Sequence, residues 1–272
     1  MDEQHILTTK ILGFLVHPNI SLPASSTLKI ADVGTGTGAW LIDIAKTLPS
    51  TCQLRGFDIS SSAFPTRQKL PANVSFTTHD MSLPFPAAEL GSYDLVAARF
   101  VSSAAARAEW QHLVKNLMTL LKPGGWIQWI DSCNFALYKS VAGTSSKACQ
   151  AIYDGLQPLR AKEDLVLGLM MRESGNLRRE DALEEIGLVE VHEDVFSTDR
   201  LQDPNLRIRD RGTRNILICF LGCLEGLQGV EGHDWDSAKI QRLKGEAMGE
   251  IDQGIYHTLD QVCIVGRKAF QS

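Results

Sequence analysis

The sequence has no long apolar stretch. Its longest uninterrupted apolar run, Ile216–Leu221, is far shorter than the roughly 20 residues that a membrane-spanning helix needs. The first residues, with Asp2 and Glu3, lack the basic flank of a signal peptide. The 6 cysteines show neither the spacing of a secreted disulfide framework nor a second ligand pair for zinc. We therefore expect a cytoplasmic protein that does not enter membranes.

Surplus positive charge is also missing. The chain has 27 basic and 32 acidic residues, a net charge of −5 at pH 7. Without a basic surplus there is no strong attraction to phosphate backbones or anionic lipid, so nucleic acid is not an expected partner. The sequence also lacks H-E-x-x-H, a calcium loop and G-x-S-x-G, and Asp131 has no Asp-Asn pair beside it for magnesium. We expect a small-molecule substrate and no metal, in a monomer or a homodimer.

Apolar runs alternate with amphipathic segments along much of the chain. Helices are predicted at 3–15, 39–48, 107–121 and 177–186. Strands are predicted at 28–33, 53–59, 74–79, 93–98, 126–130, 189–196 and 262–266. This alternation implies right-handed crossovers and a parallel sheet covered on both faces. The expected fold is a doubly wound α/β fold with a mostly parallel, seven-stranded sheet.

After Asp131 the hydrophobic pattern changes from one typical of strands to one typical of helices. We predict one domain, residues 1–272, built from five kinds of segment. The first two are an N-terminal helical lid (1–27) and a cofactor-binding half (28–133), the next two are helical substrate-cap insertions (134–176 and 199–260), and the remaining core (177–198 and 261–272) is the fifth. The lid helix would bury Leu7, Ile11, Phe14 and Leu15. A helix packed permanently on the sheet is the alternative.

A glycine-rich segment, D-V-G-T-G-T-G at residues 32–38, directly follows the first predicted strand and opens a helix. Glycines there allow a tight turn and a close approach of the backbone to a ligand, with helix N–H groups directed at its polar part. Asp58 ends the second strand, where its carboxylate can accept both hydroxyls of a ribose. Gly34, Gly36 and Ala39 also satisfy G-x-G-x-x-A, so an NAD-dependent dehydrogenase remains open at this point.

The motifs further along the chain separate these two interpretations. Asp80 ends the third strand, where it can accept from an adenine amino group while Met81 packs on the ring. L-K-P-G-G-W at 121–126 enters the fifth strand. In this order the motifs resemble class I S-adenosylmethionine-dependent methyltransferases, over about residues 28–133 and the last strand.

The resemblance extends more loosely to fungal methyltransferases of secondary metabolism. It rests on D-E-Q-H at 2–5, the helix into His17-Pro18, G-A-W at 38–40, Arg99 and the strand into Asp131. Ala97 stands where that branch often has histidine, and Gly13-Phe14 where it has paired glycines.

The resemblance implies S-adenosylmethionine as cofactor and methyl transfer to N, O or S of a small, largely apolar natural product. The predicted cofactor-binding residues are Asp32, Gly34, Thr35, Gly36, Gly38, Trp40, Asp58, Ile59, Asp80, Met81 and Arg99, with Arg99 for the cofactor carboxylate. His5 and Asp131 are the candidate general bases, ahead of His17 and His257. A cofactor-binding protein that no longer methylates, a regulator or a cyclase, would need the same binding residues and remains an alternative.

Overall fold

The structure, a computed structural model, describes residues 2–24, 26–101, 110–156, 186–200 and 207–270. The chain divides into two compact units. Unit 1 comprises Met1–Ser132, Ser174–Phe196 and Gln261–Ser272, and unit 2 comprises Cys133–Glu173 and Ser197–Asp260. Within the described ranges, none of the helices is long and apolar enough to cross a bilayer. The lid and substrate-cap roles stay predictions.

Seven strands form one sheet in the order β3-β2-β1-β4-β5-β7-β6. Their bounds are β1 Lys29–Val33, β2 Gln53–Asp58, β3 Val74–Thr78, β4 Tyr93–Arg99, β5 Leu121–Lys139, β6 Leu188–Ser197 and β7 Ile255–Lys268. The helices of the described ranges are α1 Asp2–Leu12, α2 Ala39–Ala45, α3 Trp110–Leu120, α4 Lys147–Gly155, α5 Arg207–Glu225 and α6 Ser237–Asp252.

The strands from β3 to β5 run parallel. β1 pairs with β2 and with β4, so that Asp32 lies opposite Gly56 on one side and Ala97 on the other. β3 and β5 extend the parallel set outward. The predicted mostly parallel, seven-stranded α/β sheet is confirmed. Because these strands are parallel, their carboxyl ends meet at one edge of the sheet, which is where ligands bind in such folds.

The centre of the sheet is buried on both faces. Ile30 and Ala31 in β1 and Leu95 in β4 are fully buried, as expected for strands that are apolar at nearly every position. Trp40 and Leu41 of α2 pack into the same core. Each such side chain contributes about 1.5–3 kcal/mol by leaving water, and this burial holds α2 firmly behind the glycine-rich segment.

Helix α1 is shorter than predicted. It ends at Leu12 because Gly13 adopts φ +86°, and the Gly13 amide closes the last turn onto the Thr9 carbonyl at 2.8 Å. The buried positions of α1 are His5, Thr8, Ile11 and Leu12. The predicted stripe with Leu7, Phe14 and Leu15 is therefore wrong as a helix face; Phe14 and Leu15 pack against the core from the segment that follows the helix.

The segment after α1 is fastened to the sheet. Gln128 of β5 is fully buried, and its side chain accepts from the His17 amide at 2.8 Å and donates to the Leu15 carbonyl at 3.0 Å. The Trp40 indole donates to the same carbonyl at 3.0 Å. His17 Nε2 also lies within hydrogen-bond distance of Asp194 Oδ2, at 2.7 Å. These contacts make the segment part of the core of unit 1.

The two long strands correct the predicted insertions. β5 continues to Lys139, so the helical assignment of residues 134–139 is wrong. Helix α6 ends at Asp252, before Gly254 at φ +107°, and β7 begins at Ile255, so the helical assignment of residues 255–260 is wrong. The predicted helix at 177–186 and residues 157–176 of the first insertion lie outside the described residues, except for Ile186.

Unit 2 has an apolar core of its own, formed by α4, α5, α6 and the start of β7. Glu250 of α6 stabilises the first turn of α4: its carboxylate accepts from the Ala148 amide at 3.1 Å and from the Cys149 amide at 2.9 Å. His257 of β7 is buried among Tyr153 and Phe220.

Candidate functional site

A cavity of about 470 Å³ lies in unit 1 at the carboxyl ends of β1 to β4. Its size is that of a typical small-molecule site. It is lined by the predicted residues His5, Gly34, Thr35, Gly36, Asp58, Ile59, Asp80, Met81 and Arg99, and by Gln4, Val33, Thr37, Ala39, His79, Ser82, Phe100, Val101 and Leu113. The other predicted residues, Asp32, Gly38, Trp40 and Asp131, do not line it.

The glycine-rich segment needs its glycines. Gly34, Gly36 and Gly38 all have positive φ, at 73°, 54° and 70°. A Cβ at Gly34 would lie 2.4 Å from Val101 Cγ1, and one at Gly38 would lie 2.2 Å from Phe76 Cζ. Larger residues would therefore be strained and crowded at these positions. Gly38 supports the turn from behind, whereas Gly34 and Gly36 present backbone to the cavity.

Asp32 lies beneath the segment and is fully buried. Its Oδ2 accepts from the Thr35 hydroxyl at 2.8 Å, and its Oδ1 has no hydrogen-bond partner among the described residues. Burial raises the pKa of Asp32, against the opposing effects of the Arg99 charge and the Thr35 hydrogen bond. Asp32 thus supports the segment from behind without facing the cavity.

Asp58 faces the cavity from the end of β2. Its Oδ2 accepts from the Gly36 amide at 2.8 Å, and its Oδ1 accepts from the Ser60 amide at 3.1 Å. A carboxylate offers about four lone-pair directions, so each oxygen can accept one more hydrogen bond. Asp58 can therefore hold the glycine-rich segment and a vicinal diol at the same time.

Asp80 follows β3 at the next position along the edge. Its Oδ1 accepts from the Ser82 amide at 2.9 Å and from the Ser82 hydroxyl at 2.7 Å. These two hydrogen bonds lower the pKa of Asp80, so its carboxylate remains ionised and can accept from an N–H donor. Met81 lies beside it, and Ile59, whose side chain is 70% exposed, contributes an apolar surface to the same end of the cavity.

Arg99 ends β4 and brings a positive charge to the cavity. Its Nε lies 3.9 Å from Asp32 Oδ1, and its guanidinium lies 5.6 Å from the Trp40 ring centre. Burial lowers the pKa of Arg99, and the Asp32 charge opposes that effect. Trp40 is 1% exposed and does not line the cavity, so its predicted contact with the cofactor stays a prediction without support from the cavity.

The two candidate bases occupy different places. His5 lines the cavity, but both ring nitrogens have partners: Nδ1 lies 3.2 Å from Arg99 Nη1, and Nε2 lies 2.8 Å from Asp43 Oδ2. Asp131 is 3% exposed outside the cavity lining, where its carboxylate accepts from the Ser132 amide at 3.0 Å. A catalytic role for Asp131 therefore stays a prediction without support from the cavity.

Several lining residues are missing from the sequence-based prediction. Phe100 directly follows Arg99 and has φ +56°, a rare conformation for a bulky residue. Its position at the carboxyl end of β4 was the available signal. Gln4 and His79 line the cavity from α1 and from the end of β3. Among the residues described, no three His, Cys, Asp or Glu side chains form a group suited to a metal ion.

Comparison with known sequences identifies the segment that carries this cavity. Residues 31–127 match the family model described as a methyltransferase domain. N-methyltransferase tcpN of Claviceps purpurea is 36% identical over 146 residues, which cover 52% of this chain and 51% of that protein. N-methyltransferase sirN of Leptosphaeria maculans is 39% identical over 131 residues, covering 48% of this chain and 45% of that protein. The chain spans about half the length of the curated relatives that it matches.

A solved structure shows a similar fold. Geranyl diphosphate methyltransferase in complex with GPP and sinefungin aligns with a TM-score of 0.50 and 14% identity, covering 96% of this chain and 78% of that one. At this identity the likeness concerns the fold alone.

Proposed function

We propose that the chain is a class I S-adenosylmethionine-dependent methyltransferase, which transfers a methyl group from this cofactor to a small, largely apolar molecule. One observation carries the proposal. The ends of β1, β2, β3 and β4 bring the glycine-rich segment, Asp58, Asp80 and Arg99 to a single cavity.

The residues present suit the chemical groups of this cofactor. Asp58 has acceptor capacity left for the two ribose hydroxyls, and the ionised Asp80 can accept from the adenine amino group. Met81 and Ile59 offer apolar surface to the adenine ring. Arg99, with most of its guanidinium donors unused by described residues, can donate to the cofactor carboxylate.

Positioning is the main task of this chain in the reaction. When bound, the cofactor supplies a methyl group on a positively charged sulfur, which is electrophilic without further activation. The protein must hold the acceptor atom in line with that methyl group and keep water away. Gln4, Phe100 and Val101 form walls that narrow the space available to solvent.

Nitrogen is the acceptor atom that we propose, with oxygen and sulfur as the alternatives. The relatives from Claviceps purpurea and Leptosphaeria maculans, and a third from Clonostachys rogersoniana that is 34% identical over 133 residues, are named N-methyltransferases. A methyl acceptor of secondary metabolism is in keeping with these fungal relatives. The relatives favour methyl transfer over a dehydrogenase or a non-methylating binding protein.

The test uses S-adenosylmethionine with a deuterated methyl group. The protein is incubated with this cofactor and with matched sets of small apolar amines, amides, phenols and thiols, and the products are analysed by mass spectrometry. We expect labelled methyl groups on nitrogen-containing compounds. Labelling of phenols or thiols alone would overturn the choice of nitrogen. Tight binding of S-adenosylhomocysteine by calorimetry, with no labelled product from any set, would instead support a protein that binds the cofactor without methylating.

A further inference from the structure

His5 has a hydrogen-bond arrangement that selects the tautomer of its neutral ring. A guanidinium can only donate, so the contact of 3.2 Å from Arg99 Nη1 makes His5 Nδ1 an acceptor. The proton of a neutral imidazole then lies on Nε2, which donates to Asp43 Oδ2 at 2.8 Å. Asp43 is in turn held by Lys46 at 2.6 Å. Both nitrogens are thus occupied, and neither has a lone pair left for a substrate proton.

Arg99 depends on His5 for its orientation. Within the described residues, the one hydrogen bond made by the Arg99 side chain goes to His5. Asp32 attracts the guanidinium at 3.9 Å without a hydrogen bond, and the Trp40 ring lies 5.6 Å from its centre. Those two contacts do not fix the rotation of the guanidinium group, because attraction to a charge or to a ring face depends only weakly on the angle of approach. The directional contact comes from α1.

We infer that His5 is a positioning residue, which turns the Arg99 guanidinium so that it meets the carboxylate of the cofactor's amino-acid group. This inference rests on the proposed function. A two-pronged arginine–carboxylate contact requires the guanidinium plane to be held in one orientation. The chain achieves this by linking the end of β4 through His5 to Asp43 on α2.

Two ligands separate this role from a structural one. S-adenosylhomocysteine carries the carboxylate, whereas 5′-methylthioadenosine has the same adenine and ribose but lacks the amino-acid group. Calorimetry of both ligands is compared for the wild type and three variants. His5→Leu removes both hydrogen bonds, His5→Asn keeps an acceptor near the Nδ1 position, and His5→Gln keeps a polar group near the Nε2 position.

We expect His5→Leu to bind S-adenosylhomocysteine about tenfold more weakly, the scale of one charge-assisted hydrogen bond, and 5′-methylthioadenosine as the wild type does. His5→Asn should recover most of the lost affinity, and His5→Gln little of it. Asp43→Asn, outside the cavity, should show the same selectivity with a smaller loss. It also provides a second test if His5→Leu does not fold.

Two results would overturn the inference: an equal loss for both ligands in these variants, or unchanged affinity for both in a folded His5→Leu protein. Failure of the wild type to bind S-adenosylhomocysteine would be a different result, because it would remove the proposed function itself.

Discussion

At the scale of single residues, Asp58 has the clearest assignment. We expect Asp58→Asn to weaken S-adenosylhomocysteine binding by roughly 2 kcal/mol, or about thirtyfold, because the charge that strengthens its hydrogen bonds is lost. Isothermal calorimetry measures this change. Asp94→Asn is the matched control, since Asp94 also accepts from a backbone amide, that of Lys29 at 2.8 Å, but lies outside the cavity lining. Equal affinity in wild type and a folded Asp58→Asn protein would exclude Asp58 from the site.

The burial of His257 leads to a prediction of how the free energy of unfolding depends on pH. Burial lowers its pKa from 6.5 to about 4, and neither ring nitrogen has a hydrogen-bond partner in the part of the chain that the structure describes. Between pH 6.5 and pH 4, His257 is protonated in the unfolded chain but neutral in the folded protein. The free energy of unfolding therefore decreases as the pH falls from 6.5 towards 4. The loss attributable to this group is roughly 3 kcal/mol, because one pKa unit corresponds to about 1.4 kcal/mol.

The measurement is urea unfolding at pH 7 and pH 4.5 for the wild type and His257→Phe. The variant should be at least as stable at pH 7, since two unpartnered polar atoms leave the core, and should lose less stability on acidification. His192→Phe, at an exposed position, should retain the wild-type pH dependence. An identical loss in wild type and His257→Phe would show that His257 does not titrate in this way.

At the scale of elements, the sequence predicted the central part of the sheet well. The first four strands begin and end within one residue of their predicted positions, because apolar residues recur along each of them and turn residues bound them. The exception is β5, which contains K-P-G-G at 122–125. The pairing of β4 with β5 shifts its register there, between Tyr93 and Leu95 of β4. From the sequence pattern alone, such a bulge looks like the end of one element and the start of another.

Among the site residues, too, those at the ends of recognisable strands could be predicted from the sequence, and those placed by packing could not. Gly34, Asp58 and Asp80 could be placed because each ends a recognisable strand, and parallel strand ends meet. His5 was predicted as a site residue, but its partners could not be, because they depend on the packing of α1 against α2. Trp40 lies behind Arg99 for a similar reason: its direction is decided by the core and not by its neighbours in sequence.

Helix α1 and the following segment allow a test of the lid hypothesis. Ile11, Leu12 and Ile20 are all at most 8% exposed, and Gln128 and Trp40 would lose partners without Leu15. Deleting residues 1–20 should therefore lower the melting temperature by more than about 10 °C or cause aggregation, since several buried side chains at about 1.5–3 kcal/mol each are removed.

Circular dichroism melting and gel filtration provide the readout for this deletion. Ile6→Ser, at a position on α1 that is 47% exposed, serves as a control and should melt within a few degrees of the wild type. A truncated protein with near-native melting and greatly reduced turnover would instead support a lid that closes over the cavity.

At the scale of the whole molecule, the absence of a metal signature leads to a further prediction. The sequence has no recognisable ligand set, and the described residues include no group of three suitable side chains. We expect methyl transfer to continue at the same rate after dialysis against EDTA and to be unaffected by added magnesium. Turnover that disappears on chelation and returns with magnesium would contradict this; a parallel reaction with the magnesium–EDTA complex controls for effects of the chelator itself.

The position of β7 between β5 and β6 has a consequence for biosynthesis. The ribosome releases β6 before β7, yet among the described strands β6 has no neighbour in the sheet except β7. Until Ile255–Lys268 has emerged, the nascent chain exposes an unpaired edge on β5 and an unpaired β6, and such edges invite pairing with other chains. The sheet can therefore close only once residue 268 has left the ribosome, and chaperone binding to nascent chains stalled before residue 255 should exceed that to full-length chains released from the ribosome.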